Sequence, residues 1–173
     1  MSEFYAQSGT PFPEIVRVEA CDVPEPYRTL LVHDRDMTPT LAEAYRCNMQ
    51  LRVIKRVLTE NVLAREIVLQ MEGEARAVVF AAIKIYLEHF PPEGKRLILE
   101  SRQPFGTILH GQKIIHSSRP EAFIRVIADD TINQALGSTG QSVLYGRRSA
   151  LWNSSGVPLA QVLEILPSGH PIR

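Results

Sequence analysis

Hydrophobic positions along this chain change period, and the changes divide it into elements. From Leu51 the segments LRVIKRVLTE, LAREIVLQM and RAVVFAAIKIYL alternate with a period of two and are rich in β-branched residues; the turn EGE separates the second and third. They predict an antiparallel meander. Strand character returns at AFIRVIA, and QSVLYGRRSALW, the turn NSSG and VPLAQVLEILP predict a later hairpin. Helical signals lie between these runs. Thr38 is the expected N-cap of a helix with Pro39 as its first residue and Leu41, Ala44 and Tyr45 as its apolar stripe. PPEGKRLILES and PFGTIL both open on proline, which a first helical turn tolerates, and DDTINQALG allows one turn or two. Residues 1–26 hold Pro11, Pro13, Pro24 and Pro26 and little periodicity, and they are expected to form an extended arm. The sum is an α+β class: a single domain over residues 1–173, with an antiparallel sheet of about six strands and short helices on one face.

Two charged residues stand where that pattern asks for apolar ones. Alternation in LAREIVLQM puts Arg65 on the face of Ile67 and Leu69, with Glu66 and Gln70 opposite. Arg65 therefore points into the core, where an unpartnered guanidinium costs several kcal/mol unless a carboxylate meets it. The same count puts Glu164 with Ala160, Val162 and Leu166 on an inward face. Either the two form a structural salt bridge, or a polar ligand lies between them. Burial raises the pKa of such a Glu and a nearby arginine lowers it, an opposition common at acid–base sites. Met37 and Phe105 each stand at an expected helix start, where backbone N–H groups attract carboxylates.

Composition narrows the function classes. Hydrophobic residues make up 45% and charged residues 22% of the chain, a globular balance. Lys plus Arg (19) equals Asp plus Glu (19), without a basic stripe, so no nucleic-acid partner is expected. No apolar run approaches a membrane span or a signal segment, which makes the cytoplasm the expected location. Cys21 and Cys47 are too few for a disulfide framework and read as small buried apolar groups. The five histidines, His33, His89, His110, His116 and His170, show no metal-ligand spacing, and neither a metal nor an organic cofactor is expected. Asp34 and Asp36 read as loop charges or caps, and Ser101, Ser117 and Ser118 lack the context of a serine hydrolase. The densest basic spot, Tyr145-Gly146-Arg147-Arg148-Ser149, is read as a solvated strand end, as an arginine bracing a carboxylate within the fold, or as a second clamp for a dianion.

Four separated segments carry a family resemblance: LLVHDRDMT (Leu30 to Thr38), AREIVLQMEGE (Ala64 to Glu74), RQPFGTIL (Arg102 to Leu109), and YGRRSALW with GVPLAQVLEILP (Tyr145 to Pro167). In this order the chain resembles the chorismate lyases, which remove pyruvate from chorismate to leave a hydroxybenzoate. The resemblance implies a buried ligand pocket between sheet and helices. It also implies that Arg65 and the backbone N–H groups of Met37 and Phe105 bind the ring carboxylate, while Glu164 contacts or protonates the oxygen opposite. Arg65 and Glu164 would then be the catalytic pair, working without a cofactor. Phe105 stands where the family has leucine. The spacing from Ser149 to Glu164 is longer than in the family by about two residues, an even number that keeps Glu164 on its face. HGQKIIHSSRPEAF, with His116 and Arg119, has no counterpart and no assigned role.

The expected activity is thus elimination of pyruvate from chorismate, with 4-hydroxybenzoate ahead of 3-hydroxybenzoate as product and a monomer favoured by analogy. The alternative is a non-catalytic module that binds a small acid, akin to the effector domains of bacterial transcription regulators. The segment before Leu30 is too short and proline-rich for the winged-helix domain that accompanies such modules, which favours the enzyme.

Overall fold

A computed structural model describes residues 12–169. Seven antiparallel strands form one sheet: β1 (Ile15–Val18), β2 (Met49–Thr59), β3 (Val62–Met71), β4 (Ala77–Tyr86), β5 (His116–Ile127), β6 (Val143–Asn153) and β7 (Pro158–Leu166), in the spatial order β1-β5-β6-β7-β4-β3-β2. The meander β2-β3-β4 and the hairpin β6-β7 arise as the alternation predicts. β7 then pairs with β4, which places the two late strands in the middle of the sheet, between β5 and the meander. The expected six strands become seven because part of the arm is a strand: β1 pairs with β5 at the far edge. With only four residues and an exposed middle, β1 has no alternation to read, and its place is set by its partner. Arm residues 1–11 lie outside the described residues.

Five short helices join the strands: α1 (Tyr27–Leu31), α2 (Met37–Tyr45), α3 (Pro92–Glu100), α4 (Phe105–Gly111) and α5 (Asp130–Leu136). The first four bury Leu30, Leu31, Leu41, Ile98, Ile108 and Leu109 against one face of the sheet, in a core with Leu63, Ile85 and Leu166. The fifth goes to the other face. Its Ile132, Ala135 and Leu136 meet Val68, Phe80 and Ile165, so the expectation of helices on one face is corrected. The reason lies in β3 and β4, which are buried along nearly their whole length rather than at alternate positions and so need cover on both sides. Asp129 caps α5, its carboxylate accepting from the Ile132 N–H at 2.8 Å.

Cys21 is exposed and Cys47 half-buried, so neither is the fully buried apolar group expected. No described helix is long and apolar enough to cross a membrane.

Candidate functional site

Strand register brings the two anomalous charges to adjacent rows of one face. Arg65, Ile83, Val162 and Ser149 lie side by side across β3, β4, β7 and β6. The next row is Ile67, Ala81, Glu164 and Arg147. Apolar rows flank them: Leu63, Ile85, Ala160 and Leu151 on one side, Leu69, Val79, Leu166 and Tyr145 on the other. A cavity of ≈ 50 Å³ lies over the central rows, closed on the helical side by Met37 and Thr38 of α2 and Phe105 and Gly106 of α4. One water needs about 10–15 Å³ of such space, so the cavity has room for more than one. Arg65, Glu164, Met37 and Phe105, the four residues singled out in the sequence, all line it.

Arg65 is fully buried, at 0% exposure. Its Nη1 donates to the Ser101 hydroxyl at 3.1 Å, and that hydroxyl donates in turn to the Ile98 carbonyl at the end of α3. Its Nε and Nη2 are buried without a partner. Among the described residues no carboxylate forms an ion pair with Arg65. Burial, helped by repulsion from Arg56 on β2, pushes its pKa down to about 10, so the group is still a cation at neutral pH.

The salt bridge considered between Arg65 and Glu164 is not formed. The partner of Glu164 is Arg147, whose Nε donates to Oε2 at 2.8 Å. The remaining guanidinium nitrogens of Arg147 are also engaged: Nη1 donates to the carbonyls of Leu31 and His33 and to the His33 ring, and Nη2 donates to the carbonyl of Arg35. The arginine therefore fastens Glu164 and the loop leading into α2 to one point of β6. Desolvation and the Arg147 charge hold the His33 pKa below its usual value, which fits a neutral ring accepting through Nδ1. Of the three readings of Arg147, bracing a carboxylate is the observed one, and Arg148 points outward to Glu121. Burial raises the pKa of Glu164, against the opposing pull of Arg147. Its buried side chain borders the cavity.

At the helical wall, the N-cap of α2 is Asp36 and its first residue is Met37, each two residues before the expected N-cap Thr38 and first residue Pro39. Pro39 fits that shift because first-turn N–H groups have no intrahelical acceptor to lose. The Asp36 carboxylate does not cap. It receives His116 Nε2 at 2.7 Å, while His116 Nδ1 donates to the Ile114 carbonyl at 2.8 Å. Both ring nitrogens face acceptors, which requires the imidazolium, and the Asp36 hydrogen bond holds the His116 pKa above its usual value. His116 thus acquires a role that the sequence left unassigned. Gly106 lets the two helix starts touch, since a Cβ there would lie 3.2 Å from Thr38 Cβ and Oγ1. This contact parts the cavity from an outer groove of ≈ 670 Å³, which reaches Arg102 and Lys113.

Sequence reasoning missed Ser101, which accepts from Arg65, and Ser149, whose hydroxyl is buried in the cavity wall without a hydrogen-bond partner among the described residues. Neither carries a motif; the signal for Ser149 was its inward phase in GRRS. Among the described residues no three His, Cys, Asp or Glu side chains gather to hold a metal ion.

Comparison with protein-family models gives no match, and comparison with curated proteins gives none. Solved structures do match. PhnF from Mycobacterium smegmatis superposes with a TM-score of 0.59 at 14% identity over 79% of this chain and 65% of that one, so the chain spans less than two thirds of PhnF. The effector domain of PhnF alone also gives 0.59, at 14% identity, covering 77% of this chain and 88% of that one. The ligand-binding domain of a Bordetella bronchiseptica protein assigned to the GntR-family transcriptional regulators gives 0.53 at 13% identity, covering 70% and 87%. At these identities the likeness is one of fold, and the fold is that of the chorismate lyase-like and regulator effector domains.

Proposed function

We propose that this protein binds a small organic acid in the cavity between sheet and helices, with the acid's carboxylate on Arg65. The observation that carries this is the pair of buried guanidinium nitrogens, Nε and Nη2, left without any acceptor. A chain that spends several kcal/mol to bury a cation and gives it one neutral hydroxyl as partner has left the compensation to something else. An incoming carboxylate supplies two acceptors in the geometry a guanidinium matches best. Met37 and Phe105, the first residues of α2 and α4, line the same space, and their N–H groups, which have no intrahelical acceptor, would add donors. The shared fold with the effector domains of PhnF and GntR-family proteins supports a ligand-binding module.

A second reading is the lyase, favoured by Glu164. In that reading this glutamate, buried at the cavity edge with its pKa raised, would protonate a leaving oxygen. Arg65 and the two backbone donors would then hold the ring carboxylate of chorismate. Loss of the ring hydrogen would complete aromatisation, releasing pyruvate and a hydroxybenzoate, 4-hydroxybenzoate first among the isomers. Titration calorimetry with benzoate and 4-hydroxybenzoate tests the binding, which is expected in the wild type and absent in Arg65→Met. Incubation with chorismate tests the chemistry: pyruvate formation lost in Glu164→Gln supports the lyase, and binding without turnover leaves the effector-type module.

A further inference from the structure

We propose that Ser149 is the specificity-determining residue of this cavity, its hydroxyl reading a neutral polar substituent at the end of the ligand remote from Arg65. This rests on the acid-binding reading and says what else the acid must carry. Ser149 on β6 is 2% exposed, and its Oγ has no hydrogen-bond partner. Most buried hydroxyls bond a backbone carbonyl, a side chain or a water, so an orphan in a cavity wall invites the same question as Arg65. Neighbouring groups do not answer it. Arg147, two residues away on the same face, has Nε, Nη1 and Nη2 engaged with Glu164 and the loop carbonyls, and the facing residue on β7 is Val162.

The position of Ser149 sets the span. It shares the row of Arg65 but lies three strands away, about 14 Å between Cα atoms at the usual strand spacing. Between them on the row stand only Ile83 and Val162, both apolar. The row therefore offers a cation, an apolar floor and a hydroxyl in that order. A ligand lying along it has a carboxylate, a flat apolar body and an uncharged hydrogen-bonding group. A second carboxylate is disfavoured at the Ser149 end, because Glu164 neutralises Arg147 and, among the described residues, the other cation that lines the cavity is Arg65 at the opposite end.

The experiment compares benzoate with 3- and 4-hydroxybenzoate by calorimetry on the wild type and on Ser149→Ala. The wild type is expected to bind at least one hydroxybenzoate more tightly than benzoate, by about fivefold, the worth of one net hydrogen bond. In Ser149→Ala that ratio should fall to near one. The ligand-free variant should melt no lower than the wild type, since removing an unpartnered hydroxyl forfeits no bond; a serine with a structural role would show a loss. A preference that survives in Ser149→Ala, or a wild type indifferent to the hydroxyl, overturns the assignment while leaving acid binding intact. Failure of the wild type to bind all three acids removes the acid-binding reading, and the role of Ser149 with it.

Discussion

Arg65 and Arg147 are both essentially buried on the same face, yet they differ in what compensates them. Arg147 meets a carboxylate and three backbone carbonyls, a self-contained arrangement that removal of any partner would damage. Arg65 meets one hydroxyl. The contrast has a measurable sign. Replacing Arg65 by methionine keeps most of the side-chain volume and removes an unpaired charge, so ligand-free Arg65→Met should be more stable than the wild type, by about 1 kcal/mol or more. Because burial depresses the Arg65 pKa, its cost is fully present below about pH 10 and is relieved only as pH rises through that value, so the gain should hold across the neutral range. Denaturant unfolding at pH 7 measures it. A variant clearly less stable than the wild type would mean that Arg65 has compensation inside the fold and is not waiting for a ligand.

At the level of elements, the site depends on how closely β6 and β7 pair. Gly146 is opposite Ile165, and a Cβ added to it would lie 2.2 Å from the carbonyl oxygen of Glu164. That neighbour is backbone and cannot swing aside. Gly146→Ala should therefore force the central strands apart and cost about 3 kcal/mol or more, with loss of ligand binding as Glu164 and Arg147 shift. Gly106→Ala meets only the Thr38 side chain at 3.2 Å and should be milder. Thermal melts of the two variants decide the point, and a Gly146→Ala protein as stable as the wild type would refute it. The central strands were the legible part of the chain, because alternation over ten residues fixes both a face and the anomalies on it: Arg65 and Glu164 were found that way. Arg147 was harder, since its phase in GRRS does not say whether it braces the fold or clamps a ligand until β6 and β7 are in register and set it beside Glu164. Contacts that join distant segments left no local trace. Ser101 reaches Arg65 from the end of α3, and His116 reaches Asp36 across 80 positions, in a stretch too polar to read as the start of a strand.

For the whole molecule, the cavity exists because a helical layer is held over the sheet by a few polar ties as well as by its apolar core. Two of them converge on the segment from Leu31 to Asp36: Arg147 holds its carbonyls from β6, and His116 holds the Asp36 carboxylate from the start of β5. Only the second tie should titrate near neutrality. The folded pKa of His116 lies above its usual 6.5, so its stabilisation is fully present below about 6.5 and is lost as pH rises through the folded value. Asp34, Arg35 and Arg119 share the same side of the molecule and offset one another in sign. The melting temperature of the wild type should therefore exceed that of His116→Ala by a few degrees near pH 6, consistent with a charged hydrogen bond worth about 2 kcal/mol, and the gap should narrow as pH rises above that. A difference that stayed flat from pH 6 to 9, or widened, would mean that the imidazolium does not hold the helical layer. A gap that narrows with pH would instead identify the imidazolium as the tie that holds Asp36, a residue of the cavity wall, to β5.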